Sequence, residues 1–130
     1  MSLVLDTNIC SAYLKNKPGI LHRFVQYGGR LYIPSIVLGE LLAGAIKENS
    51  QQRLEVIQKF SDQLTVLNFD RKCAEKFGEI RGVQLRTGRK TKILDFMIAC
   101  IALAHDFTLV TNNTKDFEDI PGLRIEDWLA

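Results

Sequence analysis

The chain has 130 residues, 46% hydrophobic and 25% charged, with 9 glycines and 3 prolines, which is the make-up of an ordinary globular protein and excludes fibrous or disordered classes. A formal net charge of +2 is too small to mark a nucleic-acid binder, so any basic surface has to be local. Three widely spaced cysteines, Cys10, Cys73 and Cys100, form neither a C-x-x-C pair nor a zinc-type spacing with histidine, which excludes a disulfide scaffold and predicts reduced, buried thiols in a cytoplasmic protein.

Leu3, Val4 and Leu5 form a short apolar run that reads as a buried strand of a parallel sheet, with Asp6 at its carboxyl end. Apolar residues at Ile9, Cys10, Tyr13 and Leu14 have helical spacing, ended by Pro18-Gly19; Ile20, Leu21, Phe24 and Val25 repeat it as far as Gly28-Gly29. Leu31 to Ile33 is a second strand closed by Pro34. Ser35 is a candidate cap for a helix from Ile36 to Lys47, and Ser50 for one from Gln51 to Gln63.

A third strand is predicted over Leu64 to Phe69, and Asp70 caps a long helix from Arg71 to about Arg86. A basic, glycine-containing connection leads into the apolar helix Ile93 to Ala104. Phe107 to Thr111 is a fourth strand, Asn112 to Ile120 a loop or short helix, and Leu123 to Ile125 a last short strand. This alternation predicts an α/β fold over residues 1–130 as one domain, three-layered α/β/α with a mostly parallel sheet of four to five strands. The first apolar run has no basic region before it and is broken by Asp6, unlike a signal peptide. The longest apolar stretch, Phe96 to Ala104, is far below the roughly 20 residues of a membrane span, so no membrane association is expected.

Acidic residues are informative where the periodicity predicts burial. Glu40 has Ile36, Val37, Ala43 and Gly44 three and four positions away, and a carboxylate on such a face needs a partner or a metal. Asp95 stands in the first turn of the most apolar helix, where it serves either as a dipole-favoured charge or as a ligand. Asp6 reads equally as a helix cap, and Asp116, following the fourth strand, as a turn residue. All four nevertheless fall at the carboxyl-end face of a parallel sheet, where open α/β sheets bind their ligands. Several carboxylates share a small space only around a cation, and oxygen-only ligands select Mg²⁺ or Mn²⁺. Such a centre suits metal-assisted hydrolysis of a phosphodiester.

Leu5-Asp6-Thr7-Asn8, Pro34-Ser35-Ile36-Val37-Leu38-Gly39-Glu40-Leu41, Asp95-Phe96-Met97-Ile98-Ala99 and Leu109-Val110-Thr111-Asn112-Asn113-Thr114-Lys115-Asp116-Phe117 resemble the successive motifs of PIN-domain ribonucleases. The closing segment Ile120 to Trp128 resembles the end of VapC-type toxins. The resemblance spans essentially the whole chain. It implies an Mg²⁺- or Mn²⁺-dependent endoribonuclease, frequent homodimers and a small VapB-like antitoxin partner. By the same resemblance Asp6, Glu40, Asp95 and Asp116 are the catalytic and metal-binding acids, and Thr7, Asn8, Thr111 and Asn113 their polar supports. Many members of the family carry an acid where this chain has Asn113, which leaves the fourth ligand to Asp116.

The basic run Arg81, Arg86, Arg89, Lys90 and Lys92 is a candidate for holding an RNA backbone beside Asp95, against the alternative of a solvated loop. It is not a phosphate-binding P-loop, because the glycine spacing is wrong, an arginine intervenes and no strand precedes it. An aspartyl-phosphate phosphatase wants a second acid two residues after Asp6, and Asn8 stands there. No G-x-G-x-x-G follows the first strand, so a dinucleotide enzyme is disfavoured, and His22 and His105 read as structural. The alternative from another class is a non-catalytic RNA- or protein-binding module on the same fold. A surface near Tyr13, Phe24 and Tyr27 is a candidate for docking the antitoxin.

Overall fold

The computed structural model describes residues 1–88 and 91–129. Its strands are β1 (Leu3–Leu5), β2 (Leu31–Pro34), β3 (Thr65–Leu67), β4 (Thr108–Val110) and β5 (Ile125–Glu126). The helices are α1 (Thr7–Leu14), α2 (Ile20–Gln26), α3 (Ser35–Lys47), α4 (Gln51–Asp62), α5 (Arg71–Thr87) and α6 (Ile93–His105), with a 3-10 turn at Thr114–Phe117. The sheet order is β3-β2-β1-β4-β5 and every pairing is parallel.

β1 lies in the middle, and all three of its residues are buried, as a strand covered on both faces requires. The chain steps outward from β1 to β3, then crosses back to place β4 on the other side of β1, with Leu5 in register with Val110. Right-handed crossovers put α1 to α4 on one face of the sheet and α5 and α6 on the other. Each face has its own aromatic packing. Tyr13, Phe24 and Phe60 stack among α1, α2 and α4, while Phe77 meets Phe69 and Phe96 edge-on beside α5 and α6.

Several predicted boundaries move, for physical reasons. Ser35 does not cap α3: it is the first helical residue, and Pro34 holds the cap position without a side-chain bond. Pro34 is still paired with Leu67 in the sheet, so strand passes directly into helix. The third strand contracts to Thr65–Leu67 and the last shifts to Ile125–Glu126. Both are edge strands, where only one neighbour supplies ladder bonds. Ser50 and Asp70 do cap, accepting from the N–H of Arg53 and of Cys73 at 3.1 Å each. In α3 the core face is Val37, Leu41 and Ala45, and Ala43 and Gly44 are exposed. Glu40 is therefore half-buried at the rim of the core, not inside an apolar face.

Candidate active site

The reversal of strand order at β1 opens a crevice between the carboxyl ends of β1 and β4. Asp6 fills it. Its backbone is extended, φ −82° and ψ 175°, so the strand ends there and α1 begins one residue later. Oδ1 accepts from the Ile9 N–H at 2.9 Å, and the Thr111 hydroxyl, just past β4, donates to the same carboxylate. The carboxylate is 5% exposed and held from both strands. Asp6 is thus a helix cap and, at the same time, a member of the acid cluster described next.

Glu40 approaches from α3. Its Oε1 accepts from the Thr7 hydroxyl at 2.6 Å, which ties the acid to the first turn of α1. Asp95 comes from the first turn of α6, half-buried. Asp116 is exposed on the 3-10 turn, whose main chain closes through the Asp116 N–H to the Asn113 carbonyl at 3.0 Å. Thr111 is fully buried and its Oγ1 also accepts from the Asn113 N–H at 3.0 Å, so one hydroxyl links Asp6 to the loop that carries Asp116. Asn8 and Asn113 are exposed beside these groups.

The charges of the four acids act on one another. Burial pushes the Asp6 carboxyl above the usual carboxylate range and the charge of Asp95 pushes it further, against the bonds from Thr111 and Ile9. Asp95 is also raised, by desolvation first and then by Asp116 and Glu40, with Lys92 pulling the other way. Asp95 is the common neighbour that makes the four a cluster. Two carboxyls raised by burial and by neighbouring acid charge, Asp6 and Asp95, are the electrostatic counterpart of a cation site, and the donors around them are all oxygen, as Mg²⁺ and Mn²⁺ prefer. Among the described residues, however, no three acidic, imidazole or thiol side chains are closed tightly enough to hold one ion as they stand. Mutual repulsion keeps such carboxylates apart, and a cation such as Mg²⁺ needs only one or two of them directly, with waters completing its octahedron.

With this geometry in place, the relatives decide the family. The PIN domain model matches residues 3–123. The tRNA(fMet)-specific endonuclease VapC of Shigella flexneri is 42% identical over 130 residues, covering 98% of both chains. Ribonuclease VapC2 of Haemophilus influenzae is 36% identical over 131 residues, 99% of both. This chain belongs to the VapC-type PIN-domain ribonucleases. Among solved structures, the DNA-bound VapBC of Salmonella typhimurium superimposes with a TM-score of 0.90 at 42% identity, over 98% of each chain. VapBC2 of Rickettsia felis gives 0.90 at 34% identity, covering 98% of this chain and 99% of that one.

Two other expectations fare differently. Of the basic run, Arg86 and Lys92 are exposed, Arg89 and Lys90 lie outside the described residues, and Arg81 is turned inward onto the ring of Phe96, 5.1 Å from its centroid. The apolar surface near Tyr13, Phe24 and Tyr27 is largely covered by the chain itself. Phe24 is buried, and Trp128 stacks on Tyr27 with centroids 5.6 Å apart and meets Phe24 edge-on at 6.0 Å.

Arg81, from the basic run, is hydrogen-bonded to Gln84, a residue outside that run. Gln84 falls in the buried register of α5, in step with Cys73, Phe77 and Ile80, and is 4% exposed. The same search for polar residues on buried faces that singles out Glu40 finds it.

Proposed function

We propose that this chain is an endoribonuclease that cleaves RNA phosphodiesters with Mg²⁺ or Mn²⁺ held by Asp6, Glu40, Asp95 and Asp116, and that it is the toxin of a VapBC-type pair. The observation that carries the reading is that three acids from separate elements, Asp6, Glu40 and Asp116, all interact electrostatically with Asp95. A bound divalent cation supplies charge neutralisation, polarisation of the phosphate and a more acidic water. The protein's own groups do the positioning. Thr111 and the start of α1 hold Asp6 still, and Thr7 orients Glu40. Exposed Lys92 and Arg86 offer positive charge to the RNA backbone close to Asp95, offsetting the repulsion its phosphates meet from uncompensated acids.

A cytoplasmic location fits a nuclease that acts on RNA, and no described helix is long and apolar enough to cross a membrane. The full-length likeness to chains solved in VapBC complexes supports a small VapB-like antitoxin as partner; a homodimer is the assembly that the resemblance to the family implies. The first substrate to offer is tRNA(fMet), for which the Shigella flexneri relative is named.

The test compares wild type with Asp6→Asn on tRNA(fMet) and on a mixed RNA pool, with Mg²⁺, Mn²⁺ or a chelator. Wild type should cut only with metal, and Asp6→Asn should lose about a hundredfold or more in rate while staying folded, since asparagine also caps helices. Equal cutting by both proteins, or none by wild type at saturating metal, removes the nuclease reading and leaves a binding module.

A further inference from the structure

We propose that Arg81 and Gln84 of α5 are positioning residues that fix Asp95 within the acid cluster. The first turn of α6 has no side-chain cap bond: Lys92 occupies the cap position, and its carbonyl accepts from the Phe96 N–H at 2.8 Å. The segment entering α6 is held from outside instead. Arg81 Nη1 donates to the Thr91 carbonyl at 2.9 Å and to Gln84 Oε1 at 3.0 Å, and Gln84 Nε2 donates back to Thr91 Oγ1 at 3.3 Å. These three bonds close a triangle between one turn of α5 and the residue that leads into α6.

The same guanidinium lies over the ring of Phe96, the residue after Asp95, and Phe96 is fully buried against Phe77. Asp95 is therefore gripped on both sides in sequence, at Thr91 and at Phe96, by α5. Its carboxylate stays within reach of the charges of Glu40 and Asp116. Arginine suits this post where lysine does not, because it uses its flat face on the ring and its forked N–H groups on acceptors at once. Held this way, Asp95 stays near the other acids despite their repulsion. The cluster depends on that constraint, since groups that orient a metal ligand commonly matter about 10–100-fold to affinity or activity.

This inference rests on the nuclease reading only for its kinetic arm. Arg81→Lys keeps the charge and loses the fork and the stacking. For it we expect kcat lower by about tenfold or more, Mn²⁺ binding to the RNA-free protein weaker by about tenfold in calorimetry, and KM for RNA within about threefold. Amide hydrogen exchange should speed up over Ile93 to Phe96 and stay unchanged in α3 and α4. The proposal is overturned if the folded variant keeps wild-type Mn²⁺ affinity and kcat, or if exchange accelerates throughout the molecule as a general loss of packing dictates. Should Arg81→Lys not fold, Thr91→Val removes the Gln84 side of the triangle while the Thr91 carbonyl still accepts from Arg81, and must weaken Mn²⁺ binding and kcat together by about threefold; no change in either overturns the idea. A wild type that binds Mn²⁺ and cuts no RNA sinks the nuclease reading alone, because Mn²⁺ affinity and exchange still decide the role of Arg81.

Discussion

Asp6 shows how one residue carries both fold and site. As a cap it satisfies the Ile9 N–H, a contact whose loss in Asp6→Ala should cost about 1 kcal/mol. As a buried acid it burdens the metal-free protein. Its folded-state pKa is raised, so between the ordinary carboxylate value and that raised value the folded state binds more proton than the unfolded one, and stability falls as pH rises. The penalty grows as pH rises through that window and vanishes as pH drops towards about 4. Chelator-treated Asp6→Asn should therefore unfold at a higher urea concentration than wild type at pH 7, with the difference closing towards pH 4. Saturating Mn²⁺ should reverse the order, because only the intact cluster gains binding energy on folding. Urea titrations at the two pH values, with and without metal, read both effects. A metal-free Asp6→Asn weaker than wild type at pH 7 counts against the buried-charge account.

At the scale of elements, α5 does the most to hold the site together. Asp70 starts it by accepting from the Cys73 N–H, and Gly88, at φ +77°, ends it in the left-handed conformation that glycine adopts without strain. Along its length it presents Cys73, Phe77, Ile80 and Gln84 to α6 and the loops beside it. Asp70→Ala should lower stability by about 1 kcal/mol, seen as a lower urea midpoint with an unchanged slope. Because the cap lies at the far end of the helix from Arg81, kcat of the folded Asp70→Ala protein should stay at the wild-type level. A drop in kcat without a drop in stability would mean that α5 transmits strain along its whole length.

For the whole molecule, the C-terminal segment is a structural part of the α1–α4 face. Trp128, the single tryptophan, is 7% exposed, covers Phe24 and Tyr27, and donates from Nε1 to Glu126 Oε1 at 3.0 Å. Arg23 reaches the same glutamate at 3.9 Å and lies 5.9 Å above the indole. Trp128→Ala should cost about 3 kcal/mol, as removal of a large buried ring does elsewhere. In wild type the indole should emit as a buried tryptophan, shifting to the red on unfolding. Native emission already at the wavelength of solvated indole contradicts this packing.

The alternation of strands and helices, the acids at strand ends and the order of the motifs were legible in the sequence because they follow from local rules: apolar periods, caps and a carboxylate at the end of a buried run. Those rules place Asp6, Glu40, Asp95 and Asp116 at one end of a parallel sheet without a single coordinate. Edge strands were less legible, since β3 and β5 take their lengths from neighbours distant in sequence. Partnership was invisible for the same reason. That Thr111 bonds Asp6, that Thr7 orients Glu40, and that Arg81 turns from RNA towards Phe96 are decided only when segments 15 to 105 residues apart pack together. Sequence alone determined which groups carry charge and in what order strands and helices follow one another. Tertiary packing alone decided which of those charges meet, because burial and Coulomb interaction depend on distances in space, and distance along the chain does not fix them.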